Sequence, residues 1–559
     1  MSETRSTAYS RFLLFIAGLG GLLYGADIGI IAAALLYLNH TIELSLAQTS
    51  LVVAAVLGGG MVSSMVAGFV ADWVGRKRMM LVSGAMFLVS IVVIVTAHGF
   101  GTLFAGRLLQ GMSGGVVAVV VPLYLAESLG AENRGRGTAI FQFMLTFGIA
   151  AAAFVGWHYT RQAETAIAAA AGNAALILAA QNHAWRSMFL EVIWPGILFF
   201  AGTFALSETP RWLVRKGKLE QARASLRRTV SPEQAERVLE EMQALAQESR
   251  AAAGARDSLL QRKYVLPFVL ACVVLVCTQT TGINSILSFL VLILRQAGMS
   301  ARLATQGDVT VKLMNCLATV VAVMLVDRKG RRFLLRVGTG GVVLALLACG
   351  FFFLHIEQAR RDVRAQVEAA ETRNRIEMPL NAATLDAGPK GRAMALTVTY
   401  SYGHGTQVET VLSDSEEPVL KIAPEPGAEN ARLTIRRAVY GPVPAAATGW
   451  MVAGCLGLFI VFYAVGPGVV VWLMLSELMP TRIRSSGMGI AMLLNQGAST
   501  LIAAVFLPVV GIFGYYAMFF AWAGCTVVYF VTASFFLPET KGRTLEEIEM
   551  YFEKPAARA

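Results

Sequence analysis

Twelve stretches of this chain are apolar for about 20 residues or more, the length needed to cross the hydrocarbon of a bilayer. They fall at roughly 12–38, 48–72, 79–97, 102–126, 137–157, 187–206, 264–294, 308–326, 333–355, 448–475, 485–510 and 514–537. In lipid every backbone polar group must be satisfied within the protein, so segments of this kind form helices. Charged residues make up 15% of the chain, against about 25% in soluble domains. The chain therefore reads as an all-α polytopic membrane protein.

The net charge of +11 is explained by where the cations lie and not by nucleic-acid binding. Arg76, Lys77, Arg78, Arg134, Arg136, Arg328, Lys329, Arg331, Arg332, Arg482 and Arg484 occupy alternate short loops. The loops near Asn39–His40, His98 and Gly511–Gly514 hold no Lys or Arg. That asymmetry predicts that the basic loops and both termini are cytoplasmic. The six cysteines all lie in apolar runs, so neither a disulfide framework nor a metal site is expected. The first run is too long for a cleaved signal peptide and is expected to be retained.

The two sets of six runs repeat. ADWVGRKRMM at 71–80 matches VDRKGRRFLL at 326–335, placing Asp72 over Asp327 and Arg76 over Arg331. Glu127 in AES lies over Glu477 in SEL, and Glu208 in LSET over Glu539 in LPET. Duplicated halves of this kind mark a transporter that rocks about a central site. The expected organisation is a first half at 1–206, a cytoplasmic helical linker at 207–263, a second half at 264–356 and 448–537, and a cytoplasmic tail at 538–559. The repeat is interrupted at about 158–185 and at 357–447. The longer insertion is expected outside the membrane as a small cap of mixed α/β structure. It opens with a charged helix-like run, EQARRDVRAQVEAAETRNR, and continues with strand-like LTVTYSY at 396–402 and RLTIRRAVY at 432–440. In the linker, 231–247 reads as an amphipathic helix capped by Ser231.

Asp27 is the only charge in the first run, within GLLYGADIGII at 21–31. An ionised carboxylate at the bilayer centre costs roughly 2.5–3.5 kcal/mol on insertion scales. Taking up a proton or pairing with a cation relieves that cost, and either makes its charge switchable; a polar residue at a helix contact is the plainer alternative. Arg107 is the lone charge of the fourth run, and lone intramembrane charges tend to pair. Asp27 and Arg107 are thus candidates for a two-state element biased by one proton. One proton moving down about 100 mV supplies roughly 2.3 kcal/mol, enough for roughly fifty-fold accumulation of a neutral solute.

Several motifs then converge. PETKGRTLEEIE at 538–549, SETPRWLVRKGKLEQA at 207–222, GFVADWVGRKR at 68–78, VDRKGRR at 326–332, PLYLAESLGAENRGR at 122–136 and SELMPTRIR at 476–484 resemble the signatures of the sugar porters of the major facilitator superfamily. GLLYGADIG resembles the first-span motif whose Asp belongs to proton-coupled members. The resemblance implies a cytoplasmic charge network of Asp72, Arg76, Glu127, Arg134 and Glu208, mirrored by Asp327, Arg331, Glu477, Arg484 and Glu539, that ties the halves together on the inner face. Glu191 resembles an acid of xylose–proton symporters; a second proton acceptor and an outer-interface charge are both open readings. Gln142, Gln279, Asn284, Asn315, Trp472 and Asn495 align with sugar-contacting positions. Uncharged amides and an aromatic face suit hydroxyls, which both give and take hydrogen bonds. Gly466-Pro467-Gly468 is expected to interrupt its helix. The chain departs from the family at Ala26, Ser207, Thr278, Ser288-Phe289 and Gln496.

The expected function is proton symport of a monosaccharide of the xylose or hexose class, in a bacterial inner membrane, by a monomer without cofactor. A uniporter of the same fold and a non-transporting nutrient sensor are the alternatives. No nucleophile–base or metal set points to an enzyme.

Overall fold

In a computed structural model the structure describes residues 2–129, 131–252, 262–380, 385, 393–403, 405–415, 418–424, 431–479, 484–541 and 552. Twelve helices among them are long and apolar enough to span a membrane. Spans one to six are Ala8–Thr41, Leu46–Val74, Arg76–Val95, Phe100–Ser128, Ala139–Ala169 and Ala174–Phe204. Spans seven to twelve are Tyr264–Gln296, Ala301–Val326, Arg331–Gln358, Ala446–Val471, Gly487–Phe513 and Tyr515–Phe536.

Local chemistry sets where the spans turn. Ser45 and Gln48 form a reciprocal cap at the start of span two, with Gln48 N–H on Ser45 Oγ at 3.2 Å and Ser45 N–H on Gln48 Oε1 at 2.9 Å. Gly75 and Gly330, at φ +108° and +90°, make the equivalent tight turns into spans three and nine. Span seven is broken at Gly282, φ +81°. A side chain there would also run into the Trp522 ring, 2.4 Å from an added Cβ. Span ten, by contrast, is not interrupted at Gly466-Pro467-Gly468. Residues 464–468 form one widened π-helical turn and the helix continues, because an extra residue in the turn accommodates the proline without a break.

The shorter interruption of the repeat is a helical hairpin. The helix of span five covers Ala131–Ala169, 39 residues, or about 58 Å at 1.5 Å per residue. That is far longer than the hydrocarbon, so its end projects beyond it. Asn173 then caps the next helix through Ala175 and Leu176 N–H.

Among its described residues the longer insertion carries seven strands: β1 Arg361–Asp362, β2 Glu371–Thr372, β3 Arg375–Pro379, β4 Met394–Ser401, β5 Gln407–Leu412, β6 Val419–Ile422 and β7 Thr434–Pro442. They form two sheets, ordered β1-β7-β4-β5 and β2-β3-β6. β4 and β7 pair antiparallel, Leu396 opposite Tyr440. Val367, Ile376, Leu396, Val398, Leu420 and Ile435 fill the space between. Past the end of the span-nine helix at Gln358, the charged run is helical only over Arg364–Ala369, since Arg361 and Asp362 pair with β7 and Glu371 and Thr372 with β3.

At the opposite, basic end, helices Pro210–Arg215, Leu219–Leu226 and Pro232–Ala252 share a small core of Trp212, Leu213, Ala222, Leu226, Ala235 and Leu239. Ser231 Oγ accepts Gln234 N–H at 3.4 Å.

The halves meet at the cap end. Span one packs on the second segment of span seven, span two on span eleven, and span five on span eight. Leu507 N–H reaches Ser50 Oγ at 3.1 Å. The cap adds a bond of its own, from Leu46 N–H in the first half to Thr406 C=O at 2.8 Å. One continuous apolar core joins first-half residues such as Ile30 and Val53 to Leu287, Leu456 and Phe506 of the second half. Toward the basic end the second half has a separate core, around Leu275, Leu335, Met474, Tyr529 and Leu537. Among the described residues, these contacts between the halves gather toward the cap end.

Candidate functional site

Small residues bring the two lone charges together. Gly21 and Gly25, one turn apart, press span one against span five. A Cβ at Gly25 would lie 1.9 Å from Leu145 O, and one at Gly21 2.4 Å from Phe141 O. Helix backbones approach this closely only through small residues. Span four lies against span two in the same way, where a Cβ at Gly111 would meet Val56 O at 2.0 Å. Asp27, two residues beyond Gly25, and Arg107, one turn before Gly111, meet between the spans.

Arg107 Nη1 lies 3.1 Å from Asp27 Oδ1, and each residue is 1% exposed. The same nitrogen donates to Gln110 Oε1 at 2.6 Å. The guanidinium sits over the Phe189 ring, 5.5 Å from its centre, a cation–π contact strengthened by the absence of water. Asp27 Oδ2 has no hydrogen-bond partner among the described residues. Gly114 leaves room beside it, since a Cβ there would stand 3.7 Å from that oxygen.

Across the interface the second half presents amides. Asn284 Nδ2 donates to Gln279 Oε1 at 3.0 Å and to Ser499 Oγ at 2.8 Å. Gln279 Nε2 donates to Asn495 Oδ1 at 3.2 Å, and Asn495 Nδ2 to Leu275 C=O at 2.9 Å. This chain laces spans seven and eleven just where Gly282 breaks the helix. Tyr24, one turn before Asp27, lies near Gln496 of span eleven, so the charged pair's helix faces the amide-bearing helix. Gln142 is half-buried in span five and Asn315 buried in span eight, and these two spans pack together. The Trp472 side chain lies outside the described residues. Glu191 is not part of this group. It is exposed, and Tyr159 Oη donates to it at 2.9 Å.

Among the described residues, the charge contacts at the basic end that follow join residues of one half. Arg76, 1% exposed, binds Asp72 at 2.6 Å and Glu127 at 3.0 Å. Glu208 accepts the backbone N–H groups of Arg76 at 2.9 Å and Lys77 at 3.1 Å, capping span three with a negative charge. Thr209 Oγ1 donates to Glu127 Oε2 at 2.6 Å. The second half repeats the cap: Glu539 accepts Arg331 N–H at 3.0 Å and Arg332 N–H at 3.1 Å. The side chains of Arg134, Asp327, Glu477 and Arg484 lie outside the described residues.

A family model described as "Sugar (and other) transporter" matches residues 13–366 and 434–552. The chain is a sugar porter of the major facilitator superfamily. It is 27% identical to the glucose transporter GlcP of Staphylococcus epidermidis, over 97% of each chain. It is 27% identical to the human proton myo-inositol cotransporter, over 99% of this chain and 83% of that one. Among solved structures it resembles the partially occluded, inward-open xylose transporter XylE of Escherichia coli, with TM-score 0.67 and 20% identity over 96% and 100% of the two chains. The family match skips 367–433, so most of the cap is an addition to the sugar-porter fold.

Four residues of this sugar porter escaped the sequence reading. Gln110 shares Arg107, and Arg215 reaches Asp72 at 3.1 Å and Glu127 at 3.5 Å. Asp308 and Lys312 form a buried pair in span eight. Their signal was present, since both are charges at the edge of an apolar run.

Proposed function

We propose that this sugar porter is a proton symporter for a neutral monosaccharide of the xylose or hexose class, working by alternating access. The reading rests above all on Asp27, a buried carboxyl with one oxygen on Arg107 and, among the described residues, the other unpartnered. A proton on Asp27 cancels its charge and loosens its hold on Arg107, which keeps Gln110 and Phe189. Span one can then move relative to span four, and Tyr24 carries that movement toward Gln496 and the amide cluster. Gln279, Asn284 and Asn495 offer hydroxyls both donors and acceptors; Gln142, Asn315 and Trp472 extend the set. The names of a glucose transporter and a proton myo-inositol cotransporter among the similar proteins support transport of a neutral sugar or polyol.

The basic end faces the cytoplasm, as the excess of Lys and Arg there requires. Both termini are cytoplasmic, the membrane is a bacterial inner membrane, the transporter is a monomer, and the arrangement described is inward-facing.

The test is uptake of labelled xylose, hexoses and myo-inositol into vesicles containing the purified protein, with and without an acid-outside gradient. Accumulation above equilibrium that collapses with the gradient is expected for a monosaccharide. Asp27→Asn should abolish accumulation and retain sugar exchange. Equal uptake with and without a gradient would mark a uniporter.

A further inference from the structure

Span eight carries an ion pair that the coupling scheme does not use. Asp308, Lys312, Asn315 and Thr319 follow at helical spacing on one face. Lys312 is fully buried and Asp308 is 1% exposed. Lys312 Nζ lies 2.8 Å and 2.9 Å from the two carboxylate oxygens of Asp308. One of its donors crosses to the other half and meets the backbone carbonyl of Gly29 at 2.9 Å. Gly29 belongs to span one, two residues beyond Asp27.

An ion pair is a poor adhesive for a dry interface. Desolvation of two charges offsets much or all of their attraction, and an apolar pair of similar volume packs as well or better. Residues i and i+4 of one helix stay together when that helix moves as a unit. When the halves part at the cap end, Asp308 and Lys312 therefore remain paired and regain water, while the carbonyl bond to Gly29 is exchanged for hydration. The pair is tolerated in the closed form and favoured in the open one.

We propose that Asp308 and Lys312 are a release device for the cap-end closure. Lys312 registers span eight on span one when the mouth is shut, and the hydration of the pair keeps that closure shallow enough to reopen. Both are positioning residues of the transport cycle. The inference rests on alternating access but not on proton coupling or on the identity of the sugar.

The test needs neither gradient nor substrate. Ser50, fully buried beneath Leu507 of the second half, is replaced by Cys in the full chain. Its reaction with a water-soluble maleimide is followed in purified protein in detergent, against the same protein without Ser50→Cys. The double variant Asp308→Leu/Lys312→Met, which removes both charges together, should label about tenfold more slowly than the parent. Lys312→Arg, which keeps the charge and a donor, should label at the parent rate. An unchanged or faster rate in the double variant overturns the proposal. So does Lys312→Arg labelling as slowly as the double variant, because altered packing would then be the cause. A failure of proton coupling in the uptake assay would leave this result standing, which separates the two readings.

Discussion

Asp27 and Arg107 are held by what is missing beside them. The glycines on spans one and four let backbone meet backbone, and the two charged side chains are left nowhere to go but toward each other. Gly25→Ala places a methyl 1.9 Å from Leu145 O and 3.0 Å from Ile149 N, atoms of a helix backbone that cannot swing aside. Overpacking of this kind costs about 1–3 kcal/mol. Thermal unfolding in detergent should show Gly25→Ala melting well below the parent. Gly68→Ala, with nothing within 4 Å of its Cβ, should melt with the parent. The charges themselves were legible, since each stood alone in an apolar run. The glycine contacts were not read, although Gly21, Gly25 and Gly29 recur every four residues in the same stretch. A spacing of four identifies a helix face but not which neighbour it meets. Asp308 and Lys312 were overlooked because they fall where a run begins, and hydropathy alone treats such charges as part of a loop.

At the basic end the repeat was legible, while the capping role of its acids was not. A Gly followed by basic residues, with a Glu waiting at the end of a later span, occurs twice, and in both halves the Glu accepts the N–H groups that begin a helix. The cap was legible as a mixed insertion with strands near 396–402 and 432–440, while its reach was not. The turn between β4 and β5 touches the first half, where Leu46 N–H, an amide in the first turn of a helix, is satisfied by Thr406 C=O. Gly405 makes that turn at φ +81°, and a Cβ there would stand 2.8 Å from Ser45 Cβ. Gly405→Val both strains the backbone and pushes the turn off span two. Labelling of Ser50→Cys should become severalfold faster in this variant, while the melting of the membrane bundle changes little. Unchanged labelling would show the cap to be a bystander to closure.

Twelve helices in two repeated halves follow from apolar length, loop charge and internal repetition, all of which a single sequence displays. The facing of the molecule does not, because one sequence must specify both arrangements with a small free-energy gap between them. What the fold adds is a division of labour. The first half carries the ionisable pair, the second carries the hydrogen-bonded amide cluster, and Tyr24 lies near Gln496 between them. In the proposed symport, sugar and proton are linked through movement of span one. The most direct test follows the proton itself. Sugar is added to a lightly buffered suspension of protein-containing vesicles at zero initial gradient, and the outside pH is recorded. The account predicts alkalinisation that tracks sugar entry and is absent in Asp27→Asn. Sugar entry without any pH change, or alkalinisation that persists in Asp27→Asn, would contradict it.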